Sequence, residues 1–157
     1  MVVNTMNLTN NIDSVNNIDS TDMEATGKDL KRILYVEDNE DIANVVSLML
    51  GRAGFKTDIA LTGKEGITKA YANSYNLVML DVMLPDMSGW DVYREIKRHP
   101  VQPKYVFLSI IPISNVRLAE LKKEGVLDYI NKPFSQSELV KRISDAFAQC
   151  LVSDPKK

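Results

Sequence analysis

The sequence has few of the residues that mark several classes of protein. It contains a single cysteine, Cys150, so no disulfide can form within the chain, and this fits a reducing, cytoplasmic location. No apolar run approaches the roughly 20 residues that a transmembrane helix needs. The N-terminus lacks the apolar core of a signal peptide. We therefore expect neither membrane insertion nor secretion.

An excess of positive charge is also missing. Lysine and arginine number 19 against 21 aspartates and glutamates, which gives a net charge of −2. A protein that binds nucleic acid usually carries a basic face, so the composition gives no support for contact with DNA or RNA. The hydrophobic share of 45% and the length of 157 residues suit one globular domain with a good core.

The two ends of the chain differ in composition from the rest. Residues 1–29 are rich in Asn, Asp, Ser and Thr and contain five acidic residues and one lysine. Such a segment cannot bury enough apolar surface to offset the entropy lost on ordering. We expect a disordered leader over residues 1–29, a folded domain over 30–151 and a frayed tail over 152–157.

Between these ends, apolar runs alternate with helical patterns. The apolar or alternating runs predict strands at 33–36, 55–60, 77–80, 105–108 and 128–131. Capping residues and apolar positions at helical spacing predict helices at about 40–50, 62–72, 89–98, 114–124 and 135–150. Strands that alternate with helices indicate parallel βα units with helices on both faces of one sheet.

The strand patterns also predict the strand order. The second run, FKTDIA, alternates and suits a sheet edge, whereas the first, third and fourth runs are continuously apolar and suit interior positions. We therefore predict an α/β fold: a doubly wound, five-stranded parallel sheet in the flavodoxin-like order 2-1-3-4-5, with five helices.

Chemically active side chains follow several of the predicted strands. Glu37 and Asp38 follow the first, Asp81 the third, Ser109 the fourth and Lys132 the fifth. In an open parallel sheet the carboxyl ends of the strands meet at one edge, where ligands bind. We expect three carboxylates, a hydroxyl and an ammonium to come together there.

Three carboxylates in one place repel each other unless a cation joins them. Lys132 offsets part of this charge, and a divalent ion would offset more. Oxygen ligands together with an incoming phosphate favour Mg²⁺, which takes few protein carboxylates, over Ca²⁺. Asp81 is then placed to attack phosphorus and form an acyl phosphate, while Ser109 donates a hydrogen bond to a phosphoryl oxygen.

Four motifs, ILYVEDNE, DVMLPDMSG, VFLSI and GVLDYINKPF, resemble the receiver domain of two-component response regulators over about residues 31–150. The resemblance implies that Asp81 is the phosphoacceptor, supplied by a histidine kinase or a histidine phosphotransfer protein. It also implies an Mg²⁺ site formed by Asp81, by Asp38 directly, by Glu37 through water and by the backbone carbonyl of Met83.

The same resemblance implies how a signal would leave the site. Lys132 is similar to the phosphate-contacting lysine of the family, and Ser109 and Tyr129 resemble its switch pair. Tyr129 also suits a plain edge-strand aromatic. A downstream effector protein would bind the face formed by the fourth helix, fifth strand and fifth helix. No residues remain for an output domain, so we expect a stand-alone receiver that is not an enzyme.

The chain departs from the family pattern in one region. Ile110 stands where the family usually has a small residue, and the stretch from Ser109 to Gly125 is one residue longer and contains Pro112. The loop before the fourth helix is therefore expected to differ in shape. Met83 and Ile111, two residues after Asp81 and Ser109, offer no polar side chain to orient a water, which predicts slow self-dephosphorylation.

Three rival functions fit parts of the pattern. A phosphatase that forms an aspartyl phosphate would resemble D-x-D, but Met83 occupies the second acidic position. A flavin-binding module would need a phosphate loop rich in Ser, Thr or Gly, where this chain has EDNED. A receiver used only for docking, without phosphorylation, would not need the full acidic set and Lys132.

Overall fold

The computed structural model describes residues 31–152, which form a five-stranded sheet flanked by helices. The leader predicted over residues 1–29 lies outside the described residues, as does the predicted tail apart from Val152, which ends the last helix. The strands are β1 (Lys31–Val36), β2 (Phe55–Ala60), β3 (Leu77–Asp81), β4 (Lys104–Ser109) and β5 (Val126–Asn131). The helices are α1 (Glu40–Arg52), α2 (Gly63–Ala72), α3 (Gly89–Ile96), α4 (Asn115–Lys123) and α5 (Gln136–Val152).

All neighbouring strands are parallel, and their order is β2-β1-β3-β4-β5. The predicted fold class and strand order are therefore confirmed. Every residue of β3 is buried, because this strand is central and covered on both faces. The alternating strand β2 lies at an edge, as its pattern predicted.

Two apolar clusters form the core, one on each face of the sheet. Alternate residues of one strand enter different clusters: Ile33 and Tyr35 pack in one, and Leu34 and Val36 pack in the other. This follows from the two-residue period of a strand. The sheet therefore separates two cores and leaves its carboxyl edge free for a site.

Side-chain caps fix where the helices begin. Asn39 caps α1 by accepting a hydrogen bond from the backbone N–H of Ile42 at 3.0 Å. Thr62 caps α2 in the same way at Glu65, and Ser135 accepts from the N–H of Glu138 at the start of α5. These caps lie at the predicted starts of the first, second and fifth helices.

A carboxylate outside α2 completes the cap of that helix. Asp86, in the loop between β3 and α3, accepts hydrogen bonds from the backbone N–H groups of Gly63 at 2.8 Å and Lys64 at 2.9 Å. A carboxylate is stabilised at a helix N-terminus because free N–H groups point toward it. The loop that follows the central strand is therefore fastened to a neighbouring helix.

The apolar stripe of α1 is wider than the face that packs on the sheet. Val46 and Leu50 are buried with Ala43, whereas Ile42 and Val45 are exposed although they belong to the same helical repeat. The helical spacing therefore predicts the helix correctly but overstates how much of its stripe is covered.

The predicted limits of several elements shift by one or two residues in the structure, those of β5 and α3 among them. Strand β5 begins at Val126 rather than Asp128, because an irregularity in its pairing with β4 admits Leu127 between the partners of Tyr105 and Val106. Helix α3 ends at Ile96, before the predicted limit at Arg98.

Candidate functional site

The carboxyl edge of the sheet gathers the three acidic side chains. Asp81 is the last residue of β3, and Glu37 and Asp38 directly follow β1. One carboxylate oxygen from each of the three lies within 4.8 Å of the others. Glu37 is only 1% exposed and Asp81 8%, whereas Asp38 is exposed. Two of the carboxylates are thus held inside the protein, where each needs a partner for its charge.

Lys132 supplies that partner to both buried carboxylates. Its ammonium lies 2.6 Å from Glu37 Oε2 and 2.6 Å from Asp81 Oδ2. Burial by itself would lower the pKa of Lys132, but the hydrogen bonds to Asp81 and Glu37 outweigh burial and raise this pKa above its ordinary value. The ammonium therefore stays charged and bridges strands β1 and β3 from the residue after β5.

Tyr35 adds a second donor to Glu37. Its hydroxyl donates to Glu37 Oε2 at 2.8 Å, and its side chain is fully buried in β1. Burial, followed by the charge of Glu37, raises the pKa of Tyr35 above its ordinary value. The hydroxyl therefore stays protonated and can donate this hydrogen bond. Two donors therefore share one oxygen of the Glu37 carboxylate.

The loop after β3 holds the other oxygen of Asp81. The backbone N–H of Met83 donates to Asp81 Oδ1 at 2.9 Å, and Met83 also pairs with Ser88 across the loop. Gly89 closes the loop against β3, since a Cβ built on it would lie 2.0 Å from the Asp81 carbonyl oxygen. The Asp81 carboxylate is thus fixed on both sides, by Lys132 and by the loop.

Ser109 lies on the neighbouring strand and is fully buried. Its Oγ accepts a hydrogen bond from the backbone N–H of Ile111 at 3.0 Å, and its carbonyl accepts from the N–H of Lys132 at 2.8 Å. The Ser109 hydroxyl keeps its own proton free to be donated. Lys132, the residue after β5, is therefore hydrogen-bonded to the last residue of β4.

Tyr129 is buried in β5 and stacks with two other aromatic side chains. Its ring centroid lies 6.4 Å from that of Trp90 and 6.2 Å from that of Phe107, and the Trp90 and Phe107 centroids are 4.0 Å apart. Its hydroxyl donates to the carbonyl oxygen of Ile111. The ring therefore lies inward in this structure and is part of the core, on the edge strand β5.

The structure brings the predicted site residues to one edge of the sheet. They are Glu37, Asp38, Asp81, Met83, Ser109 and Lys132. Tyr129 is joined to them through Ile111. Sequence reasoning missed Tyr35, although its position two residues before Glu37 places both side chains on the same face of the chain.

The donor set suits a hard divalent cation. Carboxylate oxygens and a backbone carbonyl are ligands that Mg²⁺ accepts, usually together with water. Three carboxylates against one ammonium leave negative charge for such an ion to balance. Asp38, which is exposed, offers a carboxylate at the open side of the cluster.

A parallel sheet in this order, with an acidic cluster at its carboxyl edge, defines a class of α/β proteins that bind charged ligands there. The family model described as the response regulator receiver domain matches residues 33–144. The chain therefore belongs to the response regulator receiver domain family. Receiver domains are signalling modules rather than enzymes with a separate catalytic function.

Curated relatives agree with this family. The chain is 36% identical to the regulatory protein VanRB of Enterococcus faecalis over 113 residues, which cover 71% of this chain and 50% of that protein. It is 35% identical to the response regulator ArlR of Staphylococcus saprophyticus over 114 residues, covering 73% of this chain and 51% of that protein. The chain thus spans about half the length of the curated relatives that it matches.

Solved structures give the same result. A CheY-like receiver domain protein from Methanospirillum hungatei superposes with a TM-score of 0.71 and 26% identity, covering 80% of this chain and 100% of that one. The response regulator TrrA of Thermotoga maritima, solved in complex with Mg²⁺–BeF, has a TM-score of 0.63 and 28% identity, covering 74% and 99% of the two chains.

Within residues 31–152 no helix is long and apolar enough to cross a membrane.

Proposed function

We propose that this chain is a phosphoacceptor. It takes a phosphoryl group on Asp81 from a histidine kinase or a histidine phosphotransfer protein in the cytoplasm, depends on Mg²⁺, and changes its partner-binding surface as a result. One observation carries the proposal: the Lys132 ammonium lies on the Asp81 carboxylate, with Glu37 and Asp38 beside it. This supports the proposal, because a nucleophile, a positive charge and carboxylates able to bind a cation would then meet around one point.

The reaction is a transfer between two nucleophiles. A carboxylate oxygen of Asp81 forms the new O–P bond while the P–N bond to the donor histidine breaks, and the electron pair of that bond stays on the histidine nitrogen. Lys132 and the Met83 N–H each hold one Asp81 oxygen, so the carboxylate is oriented before the donor arrives. Such orientation lowers the barrier because its entropy has already been lost on folding.

Glu37, Asp38, Asp81 and the backbone carbonyl of Met83 would hold the magnesium ion. When bound, Mg²⁺ balances the charge that spreads over the phosphoryl oxygens during transfer. The solved TrrA complex with Mg²⁺–BeF, at 28% identity, supports this assignment. The clustering of three carboxylates within 4.8 Å supports it independently.

Two residues, Lys132 and Ser109, would contact the new phosphoryl group on Asp81. A phosphoryl group carries about −1.5 to −2 units of charge at neutral pH, in place of the single negative charge of the free Asp81 carboxylate. The Lys132 ammonium, already 2.6 Å from Asp81, remains as its cationic partner. The Ser109 hydroxyl donates a hydrogen bond to a phosphoryl oxygen. This moves Ser109 Oγ and so disturbs the hydrogen bond that Oγ accepts from the N–H of Ile111.

That disturbance reaches the face formed by α4, β5 and α5, where we place the effector. Ile111 is joined to Tyr129 of β5, and Arg142 of α5 donates to the Tyr129 carbonyl at 2.9 Å. Arg142 also pairs with Asp128 at 2.6 Å. A shift at Ile111 therefore changes contacts that fix β5 against α5, and a partner that prefers one arrangement shifts the equilibrium between them.

The proposal is tested by incubating the protein with acetyl phosphate and Mg²⁺ and measuring intact mass. Wild type should gain one phosphoryl group, and Asp81→Asn should gain none. Asp91→Asn is the matched control, since Asp91 is an exposed aspartate of α3 whose ion pair is with the exposed Arg94. A phosphoryl adduct that persists in Asp81→Asn would refute the assignment of Asp81.

A further inference from the structure

We propose that Tyr35 is a positioning residue of the acidic site, which orients Glu37 for the cation and for Lys132. This rests on the proposed function of the site. The hydroxyl of Tyr35 donates to Glu37 Oε2 at 2.8 Å, and Lys132 donates to the same oxygen at 2.6 Å. Tyr35 is buried in β1 and its ring packs in the core, so its hydroxyl reaches Glu37 from a rigid base.

The hydrogen bonds of Glu37 show what Tyr35 controls. Oε2 accepts from two strong donors, whereas within residues 31–152 Oε1 accepts only from the backbone N–H of Asn39, at a long 3.3 Å. The two carboxylate oxygens are therefore not equivalent. Oε2 is committed to the protein, and Oε1 is the oxygen left for a cation or for water bound to it.

Removal of the Tyr35 hydroxyl would leave the Glu37 carboxylate less constrained. The terminal torsion of a glutamate is soft, so a carboxylate that loses a donor gains rotational freedom. Glu37 would then hold Lys132 without competition for Oε2 and draw the ammonium away from Asp81. A cation would have to order the Glu37 carboxylate as it binds, which weakens binding.

A second fully buried tyrosine, Tyr105, offers a matched comparison. Tyr105 lies near the start of β4, at the opposite end of the strand from Ser109, and within residues 31–152 its hydroxyl has no hydrogen-bond partner. Both side chains are buried tyrosines in interior strands. Tyr105→Phe therefore measures the general effect of removing a buried hydroxyl, and Tyr35→Phe adds the loss of the bond to Glu37.

The test measures Mg²⁺ binding to the unphosphorylated full chain by isothermal titration calorimetry. Tyr35→Phe should raise the Kd for Mg²⁺ about tenfold, as is typical when a partner of a metal ligand is removed. Tyr105→Phe should leave the Kd unchanged. With acetyl phosphate, Tyr35→Phe should raise the Mg²⁺ concentration for half-maximal phosphorylation and leave the rate at saturating Mg²⁺ within about twofold of wild type.

A double-mutant cycle checks that Tyr35 acts through Glu37. In a Glu37→Gln background, Tyr35→Phe should cause no further change in the Kd for Mg²⁺, because the carboxylate that it orients is absent. An additional tenfold loss in that background would overturn the proposal, as would an unchanged Kd in the single variant.

Failure of this inference can be told apart from failure of the proposed function. If wild type gains no phosphoryl group and binds no Mg²⁺, the proposed function is wrong. If wild type does both and Tyr35→Phe matches it, only the role of Tyr35 is wrong. Should Tyr35→Phe not fold, NMR of the wild-type protein labelled with ¹³Cζ-tyrosine is the alternative test. The Tyr35 signal must then shift when Mg²⁺ is added, and an unchanged signal overturns the inference.

Discussion

Ser109 and Tyr129 are both hydrogen-bonded to the backbone of Ile111, one to its N–H and the other to its carbonyl. Ser109 Oγ accepts from the N–H of Ile111 at 3.0 Å, and the Tyr129 hydroxyl donates to the Ile111 carbonyl. A hydroxyl at the site and an aromatic ring of β5 are therefore coupled through one peptide segment. Movement of Ser109 toward a phosphoryl group would pull on this segment and alter the support of Tyr129.

The only tryptophan of the chain should report this movement. Trp90 stacks on Tyr129 with an interplanar angle of 14° and contacts Phe107. We predict that phosphorylation by acetyl phosphate changes the emission of Trp90, because the position of its neighbour changes. Fluorescence measured during the reaction checks this. The same emission change in Asp81→Asn would contradict the link, and Tyr129→Ala should reduce the amplitude.

The lifetime of the phosphorylated state should be long. Met83 is 54% exposed and Ile111 45%, so two apolar side chains flank the site where a water would have to be oriented. We predict phosphate loss from the isolated protein over minutes or longer, and a severalfold faster loss from Met83→Asn, which supplies a polar side chain. Val101→Asn, at an exposed loop position, is the control. Loss from wild type within seconds would contradict this prediction.

Gly89 should tolerate no side chain. An alanine Cβ at this position would lie 2.0 Å from the Asp81 carbonyl oxygen and 3.0 Å from Val82 Cα, so the backbone that carries the phosphoacceptor must shift. We predict that Gly89→Ala lowers the free energy of unfolding by about 1–3 kcal/mol, measured by urea denaturation.

The control for Gly89 is a glycine with open space. A Cβ at Gly51, inside α1, would meet no atom within 4 Å. Gly51→Ala should raise the free energy of unfolding by about 0.5–1 kcal/mol, because alanine loses less backbone entropy in a helix. Equal effects of the two substitutions would show that the contact with Asp81 is not the cause.

Asp58 should contribute stability that depends on pH. Partial burial opposes its charge, but hydrogen bonds from Tyr75 and Arg32 lower the pKa of Asp58 below its ordinary value of 3.8. A lowered pKa gives stability that is present above the ordinary value and is lost as pH falls through the folded-state pKa. Asp58→Asn should therefore cost about 1 kcal/mol at neutral pH.

The difference between Asp58→Asn and wild type should shrink as pH falls below about 4, where the carboxyl group takes up its proton. Urea denaturation at several pH values measures this. Asp145→Asn, which removes an exposed partner of Lys141 in α5, should show little difference at any pH. A constant cost of Asp58→Asn down to acid pH would mean that its charge is not what stabilises the fold.

The sequence predicted the sheet because each strand signal is local. The central strand Leu77–Asp81 is buried throughout, and the alternating Phe55–Ala60 lies at the edge, so the apolar patterns indicated which strands are interior. The position of Leu127 was not predictable, because the irregular pairing of β4 and β5 is a property of two strands together. The exposure of Val45 likewise depends on how far the neighbouring elements extend over α1.

The candidate site was predictable residue by residue but not bond by bond. The positions of Asp81 and Lys132 after their strands implied proximity, yet nothing in the sequence shows that Lys132 is shared equally between Asp81 and Glu37. Tyr35 was hidden because a tyrosine in an apolar run is usually a packing residue. Its spacing from Glu37 was the signal that identifies its second role.

Met83 and Ile111 meet the site through their backbones, while their side chains are exposed. The N–H that holds Asp81 and the peptide that joins Ser109 to Tyr129 are present whatever side chain occupies these positions. We therefore expect the lifetime of the phosphorylated state and the switch to be separable properties of this protein. Substitution at these two exposed positions is then expected to shorten or lengthen the response to a stimulus, while the hydrogen bonds that form the site stay in place.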